Sequence, residues 1–167
     1  MKLTIVAFLC FLGLSLNATA ELSPAVKGKF YVFIDDDIHL YFNGAEIFVS
    51  ESEATAETKE LELKPGDRIV ARLKNHFGGR GLLILFVSSD KKKMMSFSHN
   101  VFKALSDPDA TDFTPEQFGK GRKITWTKNW ERKPFPYKHK SELVWGETDI
   151  CTLASAITAP MFQPGPQ

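Results

Sequence analysis

Residues 30–48 read FYVFIDDDIHLYFNGAEIF, two apolar halves joined at three consecutive aspartates. Side chains on a strand alternate between its faces, so every second residue shares a side. Phe30, Val32, Ile34, Ile38, Leu40 and Phe42 all fall on the even positions, which marks that side as the core face. Asp36 has the same parity, and a carboxylate buried there without partners would be costly. The chain therefore either bulges or turns at Asp35, Asp36 and Asp37, or it buries Asp36 with dedicated partners. Three adjacent carboxylates also supply the oxygen ligands a hard cation needs, so these aspartates form a candidate metal site, with calcium the fitting ion. Asn43-Gly44 is a strong short hairpin signal because both residues tolerate positive φ. Ala45 to Val49 is then the returning strand.

The patterns downstream are of the same kind. Leu61-Glu62-Leu63 is a short alternating strand stopped by the Pro65-Gly66 turn. Ile69, Ala71 and Leu73 face in while Arg68, Arg72 and Lys74 face out, which predicts a strand with one wet face. Residues 82–87, LLILFV, form a continuous apolar run bounded by glycine and predict a central strand covered on both faces. Residues 50–60 are rich in Ser, Glu, Thr and Ala and read as a loop. Asp90 and the lysines after it predict a solvated turn. Thr114-Pro115-Glu116-Gln117 has capping-box form and predicts a single helical turn. Residues 124–127, 143–145 and 150–153 favour closing strands, and residues 134–137 an irregular connection. The sum is a mostly β chain, an antiparallel β-sandwich of jelly-roll type with at most one or two short helical turns.

The segment Ile38-His39-Leu40-Tyr41-Phe42-Asn43-Gly44 resembles the galactose-binding-like jelly rolls, in which an aspartate-containing strand runs into L-Y-V-N-G. It is also similar to the PA14-type β-sandwich, where an Asp pair precedes an L-Y-x-D-G turn. Here Asn43 stands at the position of that second aspartate. Leu63-Lys64-Pro65-Gly66-Asp67 and the glycine-rich stretch Gly78-Gly79-Arg80-Gly81 continue both patterns. The resemblance spans residues 30–87 and implies architecture and a binding role, with the ligand left open.

Processing and charge narrow the partners. The chain has 167 residues, enough for one domain with a single core. Residues 1–20 have the form of a signal peptide: Lys2, an apolar run, then Ala18-Thr19-Ala20 as a small-residue cleavage site. The expectation is a secreted, extracellular protein with its domain at residues 21–159 and a flexible tail at 160–167. Cleavage removes one lysine, so the 21 basic residues fall to 20 and balance the 20 acidic ones. A neutral balance gives no electrostatic case for nucleic acid as partner, and no later run is long enough for a membrane span. Cleavage also removes Cys10 and leaves Cys151 alone. A lone thiol in an oxidising compartment is either a small buried hydrophobe or half of an intermolecular bond, here a disulfide-linked homodimer.

No catalytic signature emerges. The four histidines have no metal-ligand spacing, and no nucleophile elbow or phosphate-cradling loop occurs. The chain therefore reads as a non-catalytic binding module for carbohydrate or an extracellular-matrix ligand. The alternative is a structural component of a secreted matrix, cuticle or mineralised layer. Sandwich folds gather loops at their ends, where binding residues usually sit. Asn75, His76 and Arg80 bring amide, imidazole and guanidinium groups to one glycine-rich loop, suited to sugar hydroxyls, and Trp126 offers an aromatic face. Phe77, between them, fits either that loop or the core of a hairpin.

Overall fold

The computed structural model describes residues 24–127 and 142–165, with only the backbone at Trp126 and Thr127. The leader at residues 1–20 and the connection at 134–137 lie outside the described residues. In chain order the strands are β1 (Val26–Asp35), β2 (Asp37–Phe42), β3 (Ala45–Glu51), β4 (Ala54–Glu57), β5 (Leu61–Leu63), β6 (Arg68–Lys74) and β7 (Gly81–Ser88). There follow β8 (Lys93–Phe97), β9 (Lys103–Leu105), the helix α1 (Pro115–Gly119), β10 (Thr125–Thr127), β11 (Leu143–Trp145), β12 (Ile150–Ala156) and β13 (Gln163–Pro164). Among the described residues these make two antiparallel sheets packed as a sandwich. One runs β10-β11-β7-β1-β4, with β5 also on β1, β8 on β7 and β13 on β8; the other runs β3-β2-β6-β12-β9.

The stretch at residues 30–48 passes through both sheets. β1 lies in the larger sheet and β2 in the smaller, and the chain turns between them at Asp36, whose φ is +83°. Because the turn occurs at that residue, the even positions keep facing the core on both sides of it. Phe30, Val32, Ile34, Ile38 and Leu40 are fully buried, and Phe42 is half-buried against them. Asn43 and Gly44 have φ of 48° and 80°, the paired positive values of a type I′ hairpin. The β2–β3 register then shifts between Leu40 and Tyr41. This bulge twists the edge strand β3, one way of keeping an edge from pairing with another chain.

Strand β7 is buried at every residue. Leu82, Ile84 and Phe86 enter the main core, while Leu83, Leu85 and Val87 form a second cluster with Phe33 and Leu143 on the other face. The turn after β5 closes with Asp67 N–H donating to Lys64 C=O at 3.1 Å, with Gly66 at φ +95° after Pro65. That is the glycine requirement of a type II turn.

Three expectations change. Residues 54–57, read as loop, are the strand β4, with Val32 opposite Ala56 and Ile34 opposite Ala54. Alanines on the inner side keep this edge strand thin, so its alternation carries little hydrophobic contrast. The wet face expected on β6 is half covered. Val70 is buried with Tyr41, Leu105, Ala110, Phe113 and Ala154 beneath the excursion that carries α1. Thr114 caps that helix as its sequence implies, accepting from Gln117 N–H while the Gln117 side chain accepts from Thr114 N–H. Finally, the tail expected to be loose is docked up to Gly165. β13 pairs with β8, Gly165 N–H donates to Lys92 C=O at 2.7 Å, and Phe162 lies edge-on to Phe86.

The helical excursion is tied to β6 by Arg68, which donates to both carboxylate oxygens of Asp112 at 2.5 and 2.8 Å. These bonds hold the Asp112 carboxyl below its ordinary value of 3.8, against the opposing effect of its partial burial. The unfolded chain therefore takes up this proton more readily than the folded one. The pair's contribution is complete above the ordinary value and is lost as pH falls through the lower folded value. With each side chain 37% exposed, screening keeps the effect small. Melting temperatures of wild type and Asp112→Asn should differ at neutral pH and converge between about pH 4 and pH 2. A gap unchanged across that window would exclude the pair as an acid-sensitive element.

Candidate functional site

Four segments pass from one sheet to the other at the same end of the sandwich. They join β1 to β2 at Asp36, β3 to β4 at residues 52–53, β6 to β7 at residues 75–80, and β11 to β12 at residues 146–149. The segment at 75–80 is thus an inter-sheet crossing, whereas the sequence also allowed a simple hairpin. It carries three of the expected binding residues, and its neighbours hold it from two sides.

On one side stand the aspartates. The Asp36 carboxylate accepts from the backbone N–H of His76 at 2.9 Å and of Phe77 at 3.5 Å. His76 Nε2 lies 2.8 Å from Asp37 Oδ2. Asp35 closes on the loop at Gly79, where a Cβ would come within 2.7 Å of its Oδ2, so only glycine lets the carboxylate approach. The even-parity problem at Asp36 is answered here: the residue is partly solvated and its charge faces two backbone donors.

On the other side stands Asp149. It accepts from the Asn75 amide at 3.1 Å and from Arg80 Nη2 at 2.5 Å, while its carbonyl accepts from Asn75 N–H at 2.7 Å. Arg80 Nη1 also donates to Glu147 C=O at 3.4 Å. Asn75 and Arg80 are therefore bound primarily to the neighbouring crossing. Asn75 Oδ1 and Asp37 Oδ1 are buried acceptors without a donor among the described residues.

Between these anchors the loop tip projects outward. Phe77 is 86% exposed, the largest exposure among the big hydrophobic side chains described, and Gly78 follows at φ +71° with open space around it. Sequence reasoning divided Phe77 between loop and core; the geometry puts its ring in solvent. Trp126 lies elsewhere, on β10 in register with Val144, and its side chain is outside the described residues.

The expected cation site at Asp35, Asp36 and Asp37 does not form as a cluster. Among the described residues no group of three or more His, Cys, Asp or Glu side chains could hold a metal ion. The turn at Asp36 sends the carboxylates to different parts of the 75–80 loop, Asp36 to the backbone N–H groups of His76 and Phe77, Asp37 to the His76 ring and Asp35 to Gly79. Neither Asp149 nor Glu147 was singled out in the sequence, because their partners are 69 and 67 positions away.

Cys151 sits just behind this end of the molecule. Its thiol is buried, with burial pushing its pKa up to about 11, and it packs against Gly146, where a Cβ would fall 2.8 Å from Sγ. Of the two expectations for this residue, the geometry is that of the small core hydrophobe. No disulfide is present among the described residues, and no helix there is long and apolar enough to cross a membrane.

Comparison with family models, with curated proteins and with solved structures yields no match to this chain.

Proposed function

We propose that this chain is a secreted, non-catalytic binding module whose ligand is a saccharide, engaged by the loop at residues 75–80. The observation that carries the reading is Phe77: an aromatic ring in solvent, on a loop whose backbone is fixed by Asp36 and whose flanks are fixed by Asp149. An exposed phenylalanine gains nothing in folding from its position. Held in a fixed frame it loses little entropy when a ligand covers it. Its face suits the apolar face of a sugar ring, and the half-exposed His76 and Arg80 on either side are placed for hydroxyls. The resemblance of residues 38–44 to galactose-binding-like domains and the leader at residues 1–20 support the same reading. A disulfide-linked dimer through Cys151 forms no part of it, since pairing would require the thiol to leave the core.

Glycan-array and matrix-polysaccharide binding of the mature protein tests the proposal, with Phe77→Ala as the control. Wild type should bind a defined sugar saturably, and Phe77→Ala should lose about tenfold in affinity. Its melting temperature should stay unchanged, because the ring it removes is almost wholly exposed. Equal binding by both proteins, or no glycan bound by either, would overturn the reading. Retention in an insoluble tissue fraction without saturable binding would assign a structural role.

A further inference from the structure

The outer face of the smaller sheet is only half covered. Beneath the helical excursion lie Tyr41, Val70 and Ala154. Nearer the loop end the same face is open, and there it forms a groove of about 370 Å³. The strand registers give its floor two rows. Glu51, Asp37, Lys74 and Ile150 lie side by side across β3, β2, β6 and β12. Val49, His39, Arg72 and Thr152 make the next row inward, of which His39 and Arg72 line the groove. Pro108 and Asp109 form a rim, with Asp109 accepting from Arg72 at 2.7 Å.

Two features connect this groove to the Phe77 loop. Asp37 lines the groove and touches His76, and Ile150 lines it directly after Asp149, the anchor of Asn75 and Arg80. Lys74 is the residue from which the loop departs. The outer face from the 58% exposed Ile150 to the 47% exposed Val49 thus adjoins the anchors of the Phe77 loop. From β3 to β12 it crosses three strand spacings, roughly 14 Å, which is wider than a single sugar ring.

The charges on this surface say what kind of chain it fits. Acidic Asp37, Glu51 and Asp109 interleave with basic Arg72 and Lys74, so no single sign prevails. A polyanion would meet three carboxylates, and a polycation two basic groups. A hydroxyl both donates and accepts, so it suits carboxylate and ammonium alike. Among the described residues the side chains of Glu51 and Lys74 have no hydrogen-bond or ion-pair partner, which leaves one acceptor and one donor on the top row for a ligand.

We propose that this groove is the continuation of the Phe77 site, and that the ligand is an extended, electrically neutral polysaccharide chain lying across the strands, not a single terminal sugar and not an acidic glycosaminoglycan. The inference rests on the saccharide reading and names its class. Titration calorimetry with neutral oligosaccharides of increasing length, built from glucose, N-acetylglucosamine, mannose or xylose, tests it alongside heparin fragments at low and high salt. Affinity should rise with chain length and be indifferent to salt. The double variant Glu51→Ala/Lys74→Ala should lower long-chain affinity roughly tenfold while leaving monosaccharide affinity unchanged. Both positions are exposed and unpaired, so folding is unaffected. Equal affinity for one sugar unit and for long chains would overturn the groove and leave the Phe77 site standing. Preferential heparin binding that weakens with salt would overturn the neutral-chain assignment. Failure of every sugar to bind would end both proposals together.

Discussion

Replacing Phe86 with alanine should cost the domain about 3–5 kcal/mol, a large part of the 5–15 kcal/mol that typically separates folded from unfolded states. Phe86 is fully buried on the central strand β7, its ring edge-on to Phe30 at 5.2 Å and to Phe162 at 6.3 Å. Two of these rings come from the larger sheet and the third from the docked tail, so truncation opens a cavity that no single element can collapse to fill. Gly28 belongs to the same arrangement. A Cβ there would fall 2.6 Å from Phe86 Cζ and 2.2 Å from Val87 O, so the ring and the strand behind it occupy the space a side chain would need. Urea denaturation monitored by tryptophan fluorescence measures the loss. Phe86→Leu should restore much of it, and a loss below about 1 kcal/mol for Phe86→Ala would mean that the tail and Phe30 repack freely.

The second large effect belongs to Asp67, with an expected cost of about 2–4 kcal/mol on replacement by alanine. Its carboxylate is buried and accepts from Asn43 Nδ2 at 3.0 Å and from Lys64 N–H at 2.8 Å, while its carbonyl accepts from Ile157 N–H at 2.8 Å. Asn43 in turn accepts through Oδ1 from Arg68 N–H at 2.9 Å. One aspartate thus joins the β2–β3 hairpin, the Pro65-Gly66 turn and the end of β12, at the end of the sandwich away from the loop site. Alanine would remove at once the acceptor of the Asn43 amide and of the Lys64 N–H, and with it the link between hairpin and turn. Asn43→Ala should cost less, because it removes one of the two donors to the carboxylate and leaves the Lys64 N–H in place. The comparison is made by the same denaturation, and a larger loss at Asn43 would refute this placement of the charge.

These two residues mark what could be read in advance. The apolar parity of residues 30–42 gives two inner faces, and the run at residues 82–87 gives the doubly covered strand, because burial is written directly into their composition. The capping box at Thr114 and the Asn43-Gly44 turn are equally local. Asp67 was visible as part of a turn, but its hold on Asn43 was not, since that bond joins residues 24 positions apart. The same holds at the candidate site. Asn75, His76 and Arg80 were legible as a polar loop, yet the residue that binds two of them, Asp149, lies beyond β7, β8 and β11. Phe77 could not be placed because a single aromatic in a glycine-rich loop has no periodicity to assign it a face. β4 escaped for a chemical reason: Ala54 and Ala56 on its inner side contrast too weakly with Thr55 and Glu57 for alternation to register.

The buried thiol offers a way to look for a ligand before its identity is known. Cys151 packs under Gly146, at the foot of the same crossing that carries Asp149 and so holds the loop. Because the thiol is buried, its labelling requires an opening that exposes it, and lifting of that crossing is the opening expected to do so. A ligand that binds at the proposed Phe77 site and favours the closed crossing should slow the reaction. Slowed labelling, read by mass, would then report occupancy with no label on the ligand and no prior choice among candidates.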